Sequence, residues 1–421
     1  MSGQFIPIRA FTDYKITMSP STNPIIETHI PKKPRLVSLD ALRGFDMFWI
    51  ISGEDIFHGF AAVVKNKYGL TQDPVSWQIS TNANLSWLER VALGISNQLH
   101  HSVWNGFTFY DLIFPLFIFI AGISMPFSYR NAGVNQSGIH PYLKLLKRTV
   151  LLILLGMVVN GALHFAGYEQ TRFASVLGRI ALACFFAAII YLNSSLKWQI
   201  IWFVFILMGY WLLMAWVPVP GQGKGVLTPN GNLSAYIDQL FLPGKLHRKV
   251  YDPEGLLSTI PAIATAMMGI FTGRFLLWDA GYKFSPFKKM LLMVGISGIL
   301  IITGLIWNTV FPINKNMWTS SFTVYAGGCS LLLFAIFYGF IDVAGYKKWS
   351  QPFVWIGTNA ILIYLAAHGL VNFESTSQFL FGGMIDKVPV IWQNALVWIG
   401  VLLIQLFLLR FLYRRKIFLK L

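Results

Sequence analysis

Residues 100–122 read HHSVWNGFTFYDLIFPLFIFIAG. The segment changes solvent part-way along. It opens with two histidines, a tryptophan and an Asn-Gly turn, and closes as an apolar run suited to lipid. Asp111 sits just inside that run. About 20 consecutive apolar residues suffice for a helix to cross a bilayer. Working outward from this span at 107–128, similar runs fall at 36–57, 144–165, 173–193, 198–217, 256–278, 287–311, 318–342, 352–372 and 389–412. They predict an all-α polytopic membrane protein, a bundle of about ten transmembrane helices.

Composition supports that class. Of 421 residues, 55% are hydrophobic and 12% charged, with mean hydropathy +0.58. A soluble domain carries roughly 25% charged residues. The net charge of +16 has a simple source. Every alternate short connection is basic: Lys32, Lys33 and Arg35; Arg130, Lys144, Lys147 and Arg148; Lys197; Arg274, Lys283, Lys288 and Lys289; Lys347 and Lys348; Arg414, Arg415 and Lys416. Cytoplasmic loops collect Lys and Arg, so both termini are expected in the cytoplasm and no nucleic-acid partner is implied. The other side carries two long loops, 58–106 and 218–255, the second with the turn chemistry of VPVPGQGKG and PNGN. Residues 1–34 show no signal-peptide pattern and are expected to form a flexible cytoplasmic tail. Cys184 and Cys329 lie in apolar runs, so no disulfide framework is expected. No internal repeat supports an inverted-repeat transporter.

Polar residues within apolar runs are costly and usually face a cavity or a partner. In LVSLDALRGFDMFWIISGEDIF, an ideal helix places Asp40, Arg43, Asp46 and Glu54 on one stripe. Asp40 and Arg43 have ion-pair spacing. Glu54 lies about 21 Å from Asp40 along the axis, at the outer end, where it lines a cavity or meets headgroups. On one straight helix His101 and Asp111 would stand about 15 Å apart, facing different ways. The Asn105-Gly106 turn breaks the chain between them, so His101 can fold back over the mouth of the Asp111 helix. An imidazole steadied by a carboxylate is a competent base or nucleophile. His100 reads as surface decoration. Arg179 sits mid-span. Asp252 and Glu254, in VYDPEGLLST, cap a helix or face a ligand. Lys315 and Trp318, in INKNMWTSSF, anchor the chain at the interface, or Trp318 meets the acceptor. Asn359 and His368 have helix–helix hydrogen bonding as their ordinary role.

RLVSLDALRGFDMF, HSVWNGFTFYDLIFPLFIFIAG, DPEGLLSTIPAIATAMMG, PINKNMWTSSF and WIGTNAILIY together resemble the transmembrane N-acetyltransferases, comprising heparan-α-glucosaminide N-acetyltransferase and its bacterial NagX-type relatives. The resemblance runs from about residue 35 to the end. It implies a transmembrane acyltransferase domain at 35–421 that moves acetyl from cytosolic acetyl-CoA to the amine of a glucosamine-type sugar on the periplasmic side. It implies His101 and Asp111 as the catalytic pair and an inner-membrane location. Several relatives place Asn where this chain has Glu54, which leaves the acceptor open.

Read onto this chain, acetyl transfer needs a base or acetyl-carrying nucleophile, His101, oriented by Asp111. Acceptor-binding candidates are Glu54, Trp104, Asn105, Asp252, Glu254 and Trp318. Oxyanion donors are sought in Asn105, nearby backbone N–H groups or Asn359. CoA-binding candidates are Arg43, Arg148, Arg179 and Asn359, with Arg130, Lys147 and Lys288 beside the nucleotide. No metal is expected. Partners are the amino-sugar or glycan acceptor and membrane lipid, with a homodimer as an open option. The alternatives are an amino-sugar permease or an O-acyltransferase of cell-surface glycans.

Overall fold

The computed structural model describes residues 36–69, 85–129, 139–164, 167–278 and 284–419. The tail at 1–34, and Lys32, Lys33, Arg35, Arg130 and Lys283, lie outside the described residues. Among the described residues the chain is all-helical, with two isolated bridges and no strand. Among the described residues eight helices are long and apolar enough to span a bilayer, and a bent pair makes up to nine.

The first span is α1 (Val37–Phe48), a π-helical turn (Trp49–Gly53) and α2 (Glu54–Tyr68). Its 32 residues reach about 48 Å, well beyond the roughly 30 Å hydrocarbon core. It therefore extends past the expected 36–57. The π turn also rotates Glu54 away from an ideal α-helical wheel through Asp40 and Asp46. The segment 58–106, expected as a loop, carries the end of α2 and then α3 (Trp87–Gln98), which starts on a Ser86/Glu89 capping box. α4 (Phe109–Tyr129) follows. The expected span 144–165 is α5 (His140–Val159), whose first half holds Lys144, Lys147 and Arg148 and so lacks a long uncharged window.

α6 (Val176–Asn193) and α7 (Leu196–Trp216) are spans, and the short α8 (Leu233–Phe241) lies in the 218–255 connection. Then come α9 (Thr259–Leu277), α10 (Pro286–Trp307) and α11 (Ser320–Tyr338, continued by a π turn to Val343). α12 (Gln351–Thr358) and α13 (Ala360–Leu365, continued to Leu370) form the bent pair, with a 76° break at Asn359. α14 (Phe373–Ile385) precedes the last span, α15 (Val390–Arg414).

Small residues let the helices that carry the site approach closely, as membrane interfaces favour. A Cβ on Gly269 of α9 would lie 2.1 Å from the Phe119 carbonyl of α4, and one on Gly122 would lie 2.2 Å from the Ala266 carbonyl. Gly357 of α12 similarly abuts the Asp40 carbonyl of α1 at 1.9 Å. The Ser38 amide donates to Asp342, so the start of α1 meets the end of α11 at one end of the bundle. The starts of α4 and α11 lie together at the other, where the Gly106 amide donates to the Ile313 carbonyl at 2.9 Å.

Gly269→Val should lower the thermal unfolding midpoint in detergent, because overpacking a close contact costs about 1–3 kcal/mol. Gly295→Ala, which meets nothing within 4 Å, should leave the midpoint unchanged.

Candidate active site

Asp111 stands at the third position of α4, with Thr108 as its N-cap. Its Oδ2 accepts from the Thr108 amide and hydroxyl and from the Ser102 amide, each at 3.2 Å. An acidic residue three places after a Thr cap answers the free N–H groups of a helix start. Its Oδ1 faces His101 Nδ1 at 2.8 Å. The fold-back that joins them depends on Gly106, at φ +118°, a backbone state open to glycine. The Thr108 hydroxyl also donates to the His100 carbonyl, closing the loop. A carboxylate only accepts, so Nδ1–H donates to Asp111 and Nε2 keeps its lone pair.

The two side chains differ in exposure. Asp111 is fully buried, whereas the His101 side chain is 49% exposed. Burial lowers the His101 pKa; the Asp111 hydrogen bond opposes that, and nearby Lys315 adds to it. The net shift is downward, which leaves the ring neutral near pH 7.

His101 stands at a cavity of about 280 Å³. Glu254 and Lys315 line its polar end, and Tyr110, Ile113, Phe114 and Phe117 line it down α4. Met47 and Ile50 of the first span, Val176 and Ile180 of α6, and Ile361 and Tyr364 of the bent pair form its other apolar walls. Seven residues of α4 separate Tyr110 from Phe117, so the slot descends about 10 Å into the bundle. A second cavity, of about 340 Å³, shares Ile50 and His368 with the first and is lined by Glu54, Asp55 and Glu374.

The other candidates are placed as follows. Arg172 holds Asp252 at 2.6 and 2.8 Å and also pairs with Glu254. Asp252 is buried and fixed; Glu254 lines the His101 cavity. Trp104 donates to the Leu227 carbonyl at 2.8 Å and packs edge-on to Tyr251. Asn105 accepts from Asn314 at 3.1 Å. Trp318 is fully buried behind Phe114, with its indole N–H directed at Thr265. Arg179 is buried too, 5.0 Å from the Trp318 ring centroid and bonded to Ser258 and the Gly255 carbonyl. Arg43 reaches Asp40 and Ser124. Arg148, Lys147 and Lys288 are exposed. The Asn359 amide is committed to the Ile417 carbonyl and the Leu419 amide. The structure thus places His101 and Glu254 at one cavity, with Asp111 buried behind His101, and Glu54 at the neighbouring cavity. It places Trp318, Asp252 and Asn359 within packing.

Just over half of the chain, residues 82–301, matches the family model described as "Heparan-alpha-glucosaminide N-acetyltransferase, catalytic". The chain belongs to this family. Human heparan-alpha-glucosaminide N-acetyltransferase is 27% identical over 379 residues, covering 76% of this chain and 55% of that protein. The mouse protein of the same name is 30% identical over 329 residues, covering 65% and 49%. The chain spans about half the length of the curated relatives it matches. The matched region holds the His101–Asp111 pair and the Arg172 ion cluster, and ends before Lys315.

Two neighbours of the pair in this family member escaped the sequence reading. Lys315 was expected at the membrane interface, yet its Nζ lies 3.0 Å from both His101 ring nitrogens. Arg172 carried no signal, because the residues it pairs with lie 80 and 82 positions away. The block PINKNMWTSSF, which contributed to the resemblance, held the only sequence hint for Lys315. His100, expected as decoration, stacks on His58 with centroids 4.2 Å apart.

Asp111→Asn removes the partner that supports His101 protonation. The pH at which His101 becomes reactive toward diethyl pyrocarbonate, read site by site by mass spectrometry, should then move lower than in the wild type.

Proposed function

We propose that this chain transfers acetyl from acetyl-CoA to the amine of a glucosamine-type sugar, with His101 as base or acetyl carrier and Asp111 orienting it. The observation that carries the reading is the 2.8 Å His101–Asp111 contact at the polar end of an apolar-walled slot. Membership of an acetyltransferase family gives the reaction class.

The slot suits a flexible thioester arm. Its walls are apolar along α4 and α6, and among the described residues Glu254 and Lys315 line it beside His101, with His368 as a second imidazole. Pantetheine entering from the opposite end of the bundle would bring its carbonyl to His101. The alternation of basic connections puts that entrance on the cytoplasmic side, and the exposed Lys147, Arg148 and Lys288 are the candidates for the nucleotide phosphates. The adjoining acidic cavity, with Glu54, Asp55 and Glu374, suits a hydroxyl-rich cation such as a protonated amino sugar. Periplasmic presentation of the acceptor and an inner-membrane location belong to the same proposal.

The step balances without a further reagent. The bound sugar ammonium first releases one proton to solvent; His101 Nε2 then takes a second proton from the resulting amine as its nitrogen bonds to the thioester carbon. The carbonyl electrons move to oxygen, then return as the C–S bond breaks. The departing thiolate takes the proton from the imidazolium. In the covalent variant Nε2 attacks the thioester carbon and the C–S bond breaks, releasing the CoA thiolate; the amine then attacks the acetyl carbon, the bond to Nε2 breaks, and the amine proton passes to the freed imidazole and on to the thiolate.

His101→Ala should cut glucosamine-dependent CoA release by at least about 10²-fold, the usual contribution of a positioned general base. A variant within a fewfold of wild type would contradict the role. Accumulation of unmodified sugar without acetyl-CoA would instead mark a permease. A CoA burst before acceptor is added marks the covalent variant; its absence marks direct transfer.

Joint removal of charge at Lys147, Arg148 and Lys288 should raise the acetyl-CoA KM about tenfold, equivalent to 1.4 kcal/mol of lost attraction, with kcat unchanged. An unchanged KM removes these residues from the CoA site.

A further inference from the structure

We propose that Lys315 is a catalytic residue of this transfer, its ε-ammonium binding the thioester carbonyl oxygen as that oxygen becomes an oxyanion. The inference rests on the acetyl-transfer reading and names a group that reading leaves open, the oxyanion donor.

The geometry separates Lys315 from an ordinary counter-ion. Its Nζ is 3.8 Å from Asp111 Oδ1, an ion pair beyond hydrogen-bond length. Asp111 has no need of it, because His101, Ser102 and Thr108 already donate to the carboxylate. Nor is Lys315 a simple donor to the imidazole. The lone-pair directions of the two ring nitrogens diverge, so an atom 3.0 Å from both lies on neither. The contact sets a charge against the ring. Among the described residues no other hydrogen bond to Nζ is present, and Lys315 lines the same cavity as His101. The side chain is only 14% exposed. A buried ammonium with unused donors beside a reactive imidazole is suited to developing negative charge, and little reorganisation is needed when the charge forms.

The loop that presents Lys315 is rigid. Its carbonyl accepts from the Trp318 amide at 3.0 Å. The Asn314 side chain accepts from the Met317 amide and donates to Asn105, tying this loop to the one that carries His101. Thr319 donates to the Pro312 carbonyl and accepts from the Asn314 amide. Trp318 holds φ +50°, rare for a bulky residue, and its buried ring fixes that turn. Asn105, a sequence candidate for the oxyanion, is thereby engaged in positioning the Lys315 loop.

Lys315 faces His101 and the carboxylates of Asp111, Glu54 and Glu254, with Arg179 as the other nearby cation. Its charge opposes protonation of His101. Removing it should therefore raise the pH at which His101 loses its proton, the reverse of the Asp111→Asn effect. That shift reports the Lys315 charge acting on His101, whereas loss of kcat reports the contact with the oxyanion.

The test uses the full chain in proteoliposomes with acetyl-CoA and glucosamine, comparing wild type, His101→Ala, Lys315→Met and Lys315→Arg. Lys315→Met should lower kcat by about 10²–10³-fold, as loss of an oxyanion donor does, with the acetyl-CoA KM little changed. The acid limb of kcat/KM should move to higher pH, and Lys315→Arg should recover part of kcat. If the Met variant does not fold, Lys315→Gln serves, with lower kcat and the same upward shift. Wild-type-like kcat in a folded variant overturns the role of Lys315. If wild type itself releases no CoA, or His101→Ala is fully active, the acetyl-transfer reading fails instead.

Discussion

The Asp111 carboxylate is buried at the head of an apolar bundle and answered by four donors, and the structure around residues 100–111 follows from those bonds. Asp111 has no exposed side-chain surface. Leaving such a group unpartnered in a membrane interior costs several kcal/mol, about 2.5–3.5 by the lower scales. Its donors come from the loop just before the helix: the Ser102 and Thr108 amides, the Thr108 hydroxyl and His101. Supplying them forces the chain to double back at Gly106. The imidazole is thus placed by the same bonds that start the helix. Structure and proposed chemistry share one set of contacts, so the pair cannot be separated without loosening the start of α4.

Around that pair, two loops from distant parts of the chain are joined. Asn105 meets Asn314, and Gly106 meets Ile313. The Arg172 cluster fixes a third segment and leaves the Glu254 carboxylate at the cavity. Below these fixed loops the helices approach through glycine at the α4–α9 crossing, and the slot passes between α4, α6 and the bent pair. A polar, rigid end and an apolar, narrow shaft suit a thioester that arrives through the bundle and reacts at its rim.

Apolar runs made the helical class legible, because lipid demands long unbroken stretches. The His101–Asp111 meeting was legible from Asn105-Gly106, since only a turn could bring residues ten apart into contact. What escaped the sequence was facing and long-range pairing. Lys315 is 214 residues from His101, and nothing local distinguishes it from an interfacial lysine. For Trp318 the sequence left interfacial anchoring and acceptor contact open, and for Asn359 helix–helix hydrogen bonding and a CoA contact. The structure shows Trp318 wedged behind Phe114 and Asn359 bonded to the chain after α15. Helical depth can be read from position, but the direction of a side chain across a bent or π-turned helix cannot. The continuation of the first span to Tyr68 was hidden because Lys65 and Lys67 interrupt its apolar pattern.

The central claim is that donor and acceptor meet across the membrane at His101. The most direct measurement encloses acetyl-CoA in sealed proteoliposomes and supplies glucosamine only outside. For molecules oriented with the basic connections inward, the account predicts N-acetylglucosamine in the outer medium and free CoA retained within. Product formed only when both reactants share one compartment would contradict it.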